Sequence, residues 1–441
     1  MILLKDIKEV IDMGQGGLFL RKQYQLLGGL FRILAFIYRR TFIRNTSLIA
    51  VVGSLGKTTT RSVLHAALDC PDRKFSPANY GTALARNVLR IRPGDAYAVI
   101  EAGIGGPGWM KTYSKFLNPR IIVVTSVASD HHRSFPTLEH TRNEKVQIVR
   151  RMAPSDVVFL NGDDPNVLWM ATQTVAKVIT FGFNPSNNVR AEKIQVNPNG
   201  MDFEAVTGSK RQKIHTRLTG RHMIYPILAA VAVADDQGFD LLAVAERTER
   251  VMPVKHRMQV LQVPGDYQII DDTYKAGLET YFSSLEALAD LPAKRKFLFF
   301  ADIDDAPGNH RECLREIGSR AATVVNKIYC FTSRKRGQPL RAAAVSAGMN
   351  INDIVFLGSD LDLAFNTLRQ DLLPGDVLLL KGRQNNKIQR ISLMLMGHEI
   401  TCRVKYCDLK PSSCLACPFV NNHNQIKDNY FVRKYFKEAI S

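Results

Sequence analysis

The stretch that most limits what this chain can fold into is Ile49-Ala50-Val51-Val52-Gly53-Ser54-Leu55-Gly56-Lys57-Thr58-Thr59-Thr60. A short apolar run rich in β-branched residues predicts a buried strand, and two glycines then turn the chain into a helix-compatible run, Arg61 to Leu68. Gly53 and Gly56 let backbone N–H groups face an anion with no Cβ in the way, and the new helix offers its positive end to the same anion. Lys57 is expected to reach β- and γ-phosphates and the Thr58 hydroxyl to hold Mg²⁺, with Ser54 and Thr59 completing the cradle. The loop departs from G-x-x-x-x-G-K-T because Val51 stands where the first glycine belongs. The alternative is a tight strand-to-helix turn that merely contains a lysine.

With 441 residues there is length for two or three domains, and 45% hydrophobic with 23% charged residues describes a soluble globular chain. No apolar run reaches membrane-spanning length and no signal peptide is evident, so a cytoplasmic location is expected. The net charge of +18 suits nucleic acid, anionic lipid or a polyanionic substrate. Its basic residues are spread widely, without a Lys/Arg block interleaved with aromatics, which argues against nucleic acid. Seven cysteines without an export signal read as metal ligands or buried apolar residues rather than a disulfide framework.

Four segments are expected: a basic amphipathic stretch over 1–46, a central phosphate-binding domain over 47–252, a second α/β domain over 253–400, and a cysteine-rich tail over 401–441. In the first, Leu26 to Tyr38 is apolar but interrupted by Arg32 and flanked by Arg21-Lys22 and Arg39-Arg40. Residues 20–40 therefore suit either an anionic membrane surface, peripheral to its inner face, or a helix packed on the next domain.

Past the loop, Phe75 to Thr82 is turn-rich and contains Asn79 and Gly81, both taken as substrate-side residues. Tyr97-Ala98-Val99-Ile100 predicts a strand ending in Glu101, and a carboxylate at that edge is placed to hold Mg²⁺ or, alternatively, to cap a helix. Ile121 to Thr125 runs into Ser126-Val127-Ala128-Ser129-Asp130-His131-His132, and Glu139 to Arg150 predicts a helix containing Lys145. Val157 to Leu160 ends at Asn161-Gly162-Asp163-Asp164.

In this order GSLGKTTT, VIEAG, TSVASDHH with NEK, and LNGDD resemble the central domain of the Mur ligases. That superfamily joins a carboxylate to an amine with ATP through an acyl phosphate. The resemblance implies a P-loop domain with a mostly parallel sheet followed by a Rossmann-like α/β domain. It also implies ATP and one Mg²⁺ on Lys57 and Thr58, metal on Glu101 and His131, and a Lys145 carbamylated by CO₂. The bland reading of Lys145 is a solvated helix lysine. Lys57, His131 and Lys145 are the expected catalytic residues, and a carboxylate acceptor and an amine or amino-acid donor the expected partners.

Residues 177–220 alternate around Asn/Pro/Gly turns, predicting antiparallel strands, and Ile227 to Ala234 predicts a buried helix. The family pattern before that helix has two asparagines where this chain has Met223 and Pro226. Pro253-Val254-Lys255-His256-Arg257-Met258 resembles the family's linker, whose arginine, here Arg257, meets the nucleotide phosphates. Tyr267 to Tyr274 resembles the MurF branch in its Asp-Asp-Thr-Tyr, with Asp272 on the nucleotide side; Lys275-Ala276-Gly277-Leu278 departs from that branch. Asp302 with His310, and Lys381 on the substrate side, extend the resemblance, although an ordinary helix histidine is the preferred reading of His310. Such ligases carry an N-terminal domain for a UDP-sugar, which 46 residues would not build.

Cys402, Cys407, Cys414 and Cys417 are spaced as four thiolates for Zn²⁺, with an iron–sulfur cluster or four unligated cysteines as alternatives. Residues 430–440 predict an amphipathic helix. Two rival functions stand beside an ATP-dependent ligase: a non-catalytic, regulatory nucleotide-binding subunit, and a generic P-loop NTPase.

Overall fold

The computed structural model describes residues 18–405 except 74, 77, 130–133, 198 and 305, together with 407, 414–417, 420 and 421; side chains of 18–27 are not described. His131 and the helix expected over 430–440 lie outside the described residues. The architecture is α/β, built on two sheets, as expected.

The first sheet has the order β2-β1-β3-β4-β5-β6-β7-β8. Its strands are β1 (Ser47–Val52), β2 (Tyr97–Ala102), β3 (Ile121–Val124), β4 (Val157–Asn161), β5 (Lys177–Gly182), β6 (Val189–Asn197), β7 (Gly200–Thr207) and β8 (Lys210–Thr216). Pairing is parallel from β2 through β6, so of the 177–220 stretch expected to be antiparallel β5 is parallel to both neighbours and only β6-β7-β8 form an antiparallel extension. Strand β1 is apolar on both sides because both sides are covered: Ile49 and Val51 join one core, Leu48, Ala50 and Val52 another. Helices α2 (Lys57–Ala67), α3 (Gly81–Val88), α4 (Trp109–Leu117) and α5 (Leu138–Val149) provide much of that cover, with α1 (Leu18–Thr41) outside them.

Helix α6 (Ile224–Asp236) is apolar all round, and Ile227 to Ala234 are no more than 2% exposed. Its burial has a clear cause: one continuous core runs from Ile49 and Phe159 through α6 to Tyr281 and Leu298 of the following domain. After α7 (Leu241–Glu249) come β9 (Gln259–Val263), β10 (Tyr267–Asp272), α8 (Leu278–Asp290), β11 (Lys296–Phe300), α9 (His310–Ala322), β12 (Lys327–Cys330), α10 (Arg334–Ser346), β13 (Ile354–Phe356), α11 (Leu361–Asp371), β14 (Val377–Lys381) and α12 (Gln389–Leu395). The second sheet has the order β13-β12-β11-β14-β10-β9, parallel except for β9.

Helix α1 is packed on the body: Ala35 and Ile43 are buried, the Tyr38 hydroxyl donates to Ile91 O at 2.8 Å, and Arg39 Nε donates to Leu117 O at 3.0 Å. The zinc expectation gains no support. Among the described residues, which include all four tail cysteines, no group of three or more His, Cys, Asp or Glu side chains is placed to hold a metal. Cys414 and Cys417 pack against the small cluster of Leu393, Ile400 and Val420. An Arg390 guanidinium donates to Cys402 Sγ at 3.6 Å, a cation where a closed thiolate site needs another ligand. Cys414 and Cys417 thus pack beside α12, and burial pushes the Cys414 thiol above its usual range.

Candidate active site between the two sheets

The phosphate loop has the conformation its glycines allow. Gly56 caps α2 with φ +79°, and Gly53 has φ +149°, where an added Cβ would run into the Thr125 hydroxyl. The end of β3 clamps the loop from below. Leu55 N donates to Ser126 Oγ at 2.9 Å, Thr125 Oγ1 donates to Leu55 O at 2.6 Å, and Ala128 N donates to Ser54 Oγ at 2.9 Å. The Lys57 ammonium folds back over the loop, donating to Gly53 O at 2.6 Å and Ser54 O at 3.0 Å. That curl keeps the charge at the mouth of the anion site.

Beside it, the parallel register pairs Val51 with Glu101, which brings the carboxylate level with the loop. Thr58 Oγ1 donates to Glu101 Oε2 at 3.1 Å, Asn79 Nδ2 reaches the same oxygen at 3.3 Å, and Arg61 stands 3.8 Å from Oε1. Oxygen donors of this kind fit Mg²⁺, which typically takes one or two carboxylates and completes its shell with substrate phosphates and water. Gly81 sits away from this cluster, with φ +57° and its N–H donated to the Tyr113 hydroxyl at 2.8 Å. Lys145 is buried on α5 and does not line the central cavity. Its neighbour Glu144 accepts from the N–H groups of Gly108 and Met110, both at 2.8 Å, and so caps α4.

A cavity of about 390 Å³ lies over the loop, and residues of both sheets' domains line it. Lys57, Thr58 and Asn79 come from the first; Arg257, Asp272 and Lys381 come from the second. These expected residues are therefore brought together by the fold. Asp272 and Lys381 are partners of each other: β10 and β14 pair in parallel with Asp272 opposite Lys381, and the two side chains form a buried ion pair. Ser284 Oγ adds a hydrogen bond to Asp272 at 2.7 Å. Burial lowers the Lys381 ammonium from its usual range, and Asp272 opposes that shift. Burial also lowers the nearby His222 imidazole to about 4, against an opposing pull from Asp272. Asp271, facing the other way, holds His256 Nδ1 at 2.8 Å.

Met223 and Pro226, where the family pattern has asparagines, both line this cavity. Between them the sequence reading missed Tyr225, which also lines it, packs edge-on against Phe183 and donates its hydroxyl to Asp163 at 3.0 Å. Tyr274 was missed as well; its ring carries the Arg257 guanidinium at 4.1 Å. An aromatic directly beside each altered or functional position was the available signal.

A second cavity, about 780 Å³, opens at the C-terminal edge of the second sheet. Arg383 stands 3.4 Å from both Asp302 and Asp304 there, and His310 lies 3.9 Å from Asp302. Arg311, Lys335 and Arg336 line the remaining wall.

A phosphate loop facing an arginine and a buried lysine across an interdomain cleft defines a nucleotide-dependent ligase of two α/β domains. The family profiles agree: the Mur ligase middle domain matches residues 51–234, and the Mur ligase, glutamate ligase domain matches residues 256–384. The chain belongs to the Mur ligase family and is an ATP-dependent ligase of MurF-like kind. Among its relatives is the UDP-N-acetylmuramoyl-tripeptide--D-alanyl-D-alanine ligase of Mycobacterium leprae, 26% identical over 396 residues, covering 80% of this chain and 74% of that protein. The Escherichia coli ligase of the same name is 25% identical over 279 residues, 62% of each chain. MurF from Acinetobacter baumannii has the same fold, with a TM-score of 0.74 at 20% identity over 84% of this chain and 81% of that one. So does MurF from Thermotoga maritima in complex with ADP, with a TM-score of 0.73 at 21% identity over 84% and 83%.

Proposed function

We propose that this chain condenses a carboxylic acid with the amine of an amino acid or peptide, residues 47–252 holding ATP and residues 253–400 presenting the amine. The observation that carries the reading is the shared cavity, where Lys57 and Thr58 meet Arg257 across the cleft. An oxygen of the acid attacks the γ-phosphorus, ADP leaves, and an acyl phosphate forms. The amine nitrogen then attacks the acyl carbon, phosphate leaves, and the nitrogen gives up a proton, yielding amide, ADP and phosphate. Lys57 and the loop N–H groups hold charge developing on the γ-phosphoryl oxygens, and Arg257, stacked on Tyr274, neutralises the phosphates from the opposite side. Thr58 and Glu101 would hold Mg²⁺, which supplies further charge neutralisation on the phosphates.

On the metal side the family resemblance adds His131 and a carbamylated Lys145, the latter buried on α5 outside the central cavity. Loss of activity in Lys145→Ala, with the fold retained and rescue by a short-chain carboxylate, supports the carbamate; failure of rescue removes that support. For the base, Tyr225 with Met223 and Pro226 offers an apolar and aromatic wall in place of amide side chains. The absence of the two asparagines at Met223 and Pro226 favours the second reading, a regulatory nucleotide-binding subunit. The cavity at Asp302 and Arg383 suits the amine donor, since it presents carboxylates to an ammonium and cations to a carboxylate.

The test is phosphate release from ATP with pools of acids and amines. UDP-N-acetylmuramoyl-tripeptide with D-alanyl-D-alanine, the pair named for the relatives, is the first combination to try. Release that requires both acid and amine supports the ligase; release with neither makes the chain a simple NTPase, and none with any pair favours the regulatory subunit.

A further inference from the structure

Helix α1 uses only one of its faces to pack on the body. Ala35, Tyr38 and Arg39 face α3 and α4, while Leu30, Ile33, Leu34 and Ile37 form a stripe on the opposite side at helical spacing. Ile33 is 58% exposed, Leu30 51%, and Phe42, just past the helix, 65%. Large apolar side chains grouped on one exposed face are uncommon on soluble proteins unless something covers them. The packing of one face leaves this stripe without a cover among the described residues.

The charge around this face selects the cover. From Leu18 to Thr46 there are six basic residues, Arg21, Lys22, Arg32, Arg39, Arg40 and Arg44, and no acidic one. Along one edge Arg40 reaches Lys115 O at 3.0 Å, which places it beside the exposed Lys115 of α4, a helix with two lysines and no acid. At the end of the helix the exposed Arg120 donates to Arg44 O at 3.3 Å. A second copy of this chain would set these cations against their own kind, which disfavours self-association. No helix among the described residues is long and apolar enough to cross a membrane, so the stripe suits lying in an interface rather than spanning one.

We propose that this face of α1 docks on an anionic lipid bilayer, with Leu30, Ile33, Leu34, Ile37 and Phe42 entering the headgroup boundary and Arg40, Arg44, Lys115 and Arg120 meeting lipid phosphates. None of these residues lines the cavity over the phosphate loop, so docking and nucleotide binding are separable. The experiment is flotation of the full chain with phosphatidylcholine vesicles containing about 30% phosphatidylglycerol, and with phosphatidylcholine alone. The chain is expected to float with the anionic vesicles and not with the neutral ones, and to float less as salt rises to about 0.5 M. Ile33→Glu/Ile37→Glu is expected to bind at least about tenfold more weakly, with unchanged thermal unfolding and nucleotide binding. Should that variant unfold, Arg44→Glu/Lys115→Glu, which changes only exposed charges, is expected to lose anionic-vesicle binding in the same assay. The proposal is overturned if the chain stays unbound with anionic vesicles, if folded variants float as well as the parent, or if the stripe instead supports a concentration-dependent dimer that Ile33→Glu/Ile37→Glu dissolves.

Discussion

The two sheets build their ligand edges in opposite ways. At the first, Gly53, Gly56, Lys57 and Thr58 are near neighbours in the chain, and backbone groups and short-range bonds fix the loop. At the second, Asp272 and Lys381 are 109 residues apart and meet only because β10 and β14 pair in parallel. A local cradle is specified by its own residues. A long-range pair depends on the whole domain being folded, so it ties the geometry of the cavity to stability.

That contrast sets the predictions. Lys57→Ala is expected to lower ATP-dependent phosphate release by about 10²–10³-fold while leaving thermal unfolding nearly unchanged, because the residue acts on developing charge and not on the core. A comparable loss of stability would break the contrast. Asp272→Ala is expected to lose stability together with activity, costing about 3–5 kcal/mol in denaturant unfolding by stranding the Lys381 ammonium in the interior. The double change Asp272→Leu/Lys381→Met should recover much of that stability without restoring activity.

A smaller effect concerns pH. The folded protein keeps His222 neutral down to about 4, whereas an unfolded imidazole takes its proton near 6.5. Between these values the unfolded chain binds more protons, so stability is complete above about 6.5 and falls as the pH drops toward 4. The ring is partly reached by solvent, which holds the loss to about 2 kcal/mol, and His222→Gln should flatten the slope in unfolding measured between these pH values. The smallest effect is expected at the nucleotide wall. Tyr225→Ala should raise the KM for ATP about tenfold with little change in kcat, since it removes an aromatic contact that is the same in ground and transition states. A fall in kcat instead would move Tyr225 from the base to the reacting phosphate.

Much of the phosphate edge was legible because its chemistry is local: strand, glycine turn, lysine and helix follow one another. Glu101 was legible for a related reason, as an acid ending a strand beside that loop. Tyr225 and Tyr274 were not, because an aromatic residue looks like core until the fold shows it lining a cleft. In the tail the spacing is compatible with zinc, but spacing does not set where thiols point: Cys414 and Cys417 meet apolar neighbours and Cys402 meets Arg390.

By itself the sequence determined the alternation of strands and helices, the anion cradle of Gly53 to Thr60, and the two-sided burial of β1, since these follow from residue pattern over a few turns of chain. Only the tertiary structure decided that Arg257, Asp272 and Lys381 face that cradle across one cleft, and that α1 packs with one face while leaving the other bare. The physical reason is range: propensity and hydrogen-bonding within a segment are written in neighbouring residues, whereas the cleft exists because two apolar sheets bury themselves against α6 and α8, and no short stretch of chain records that choice.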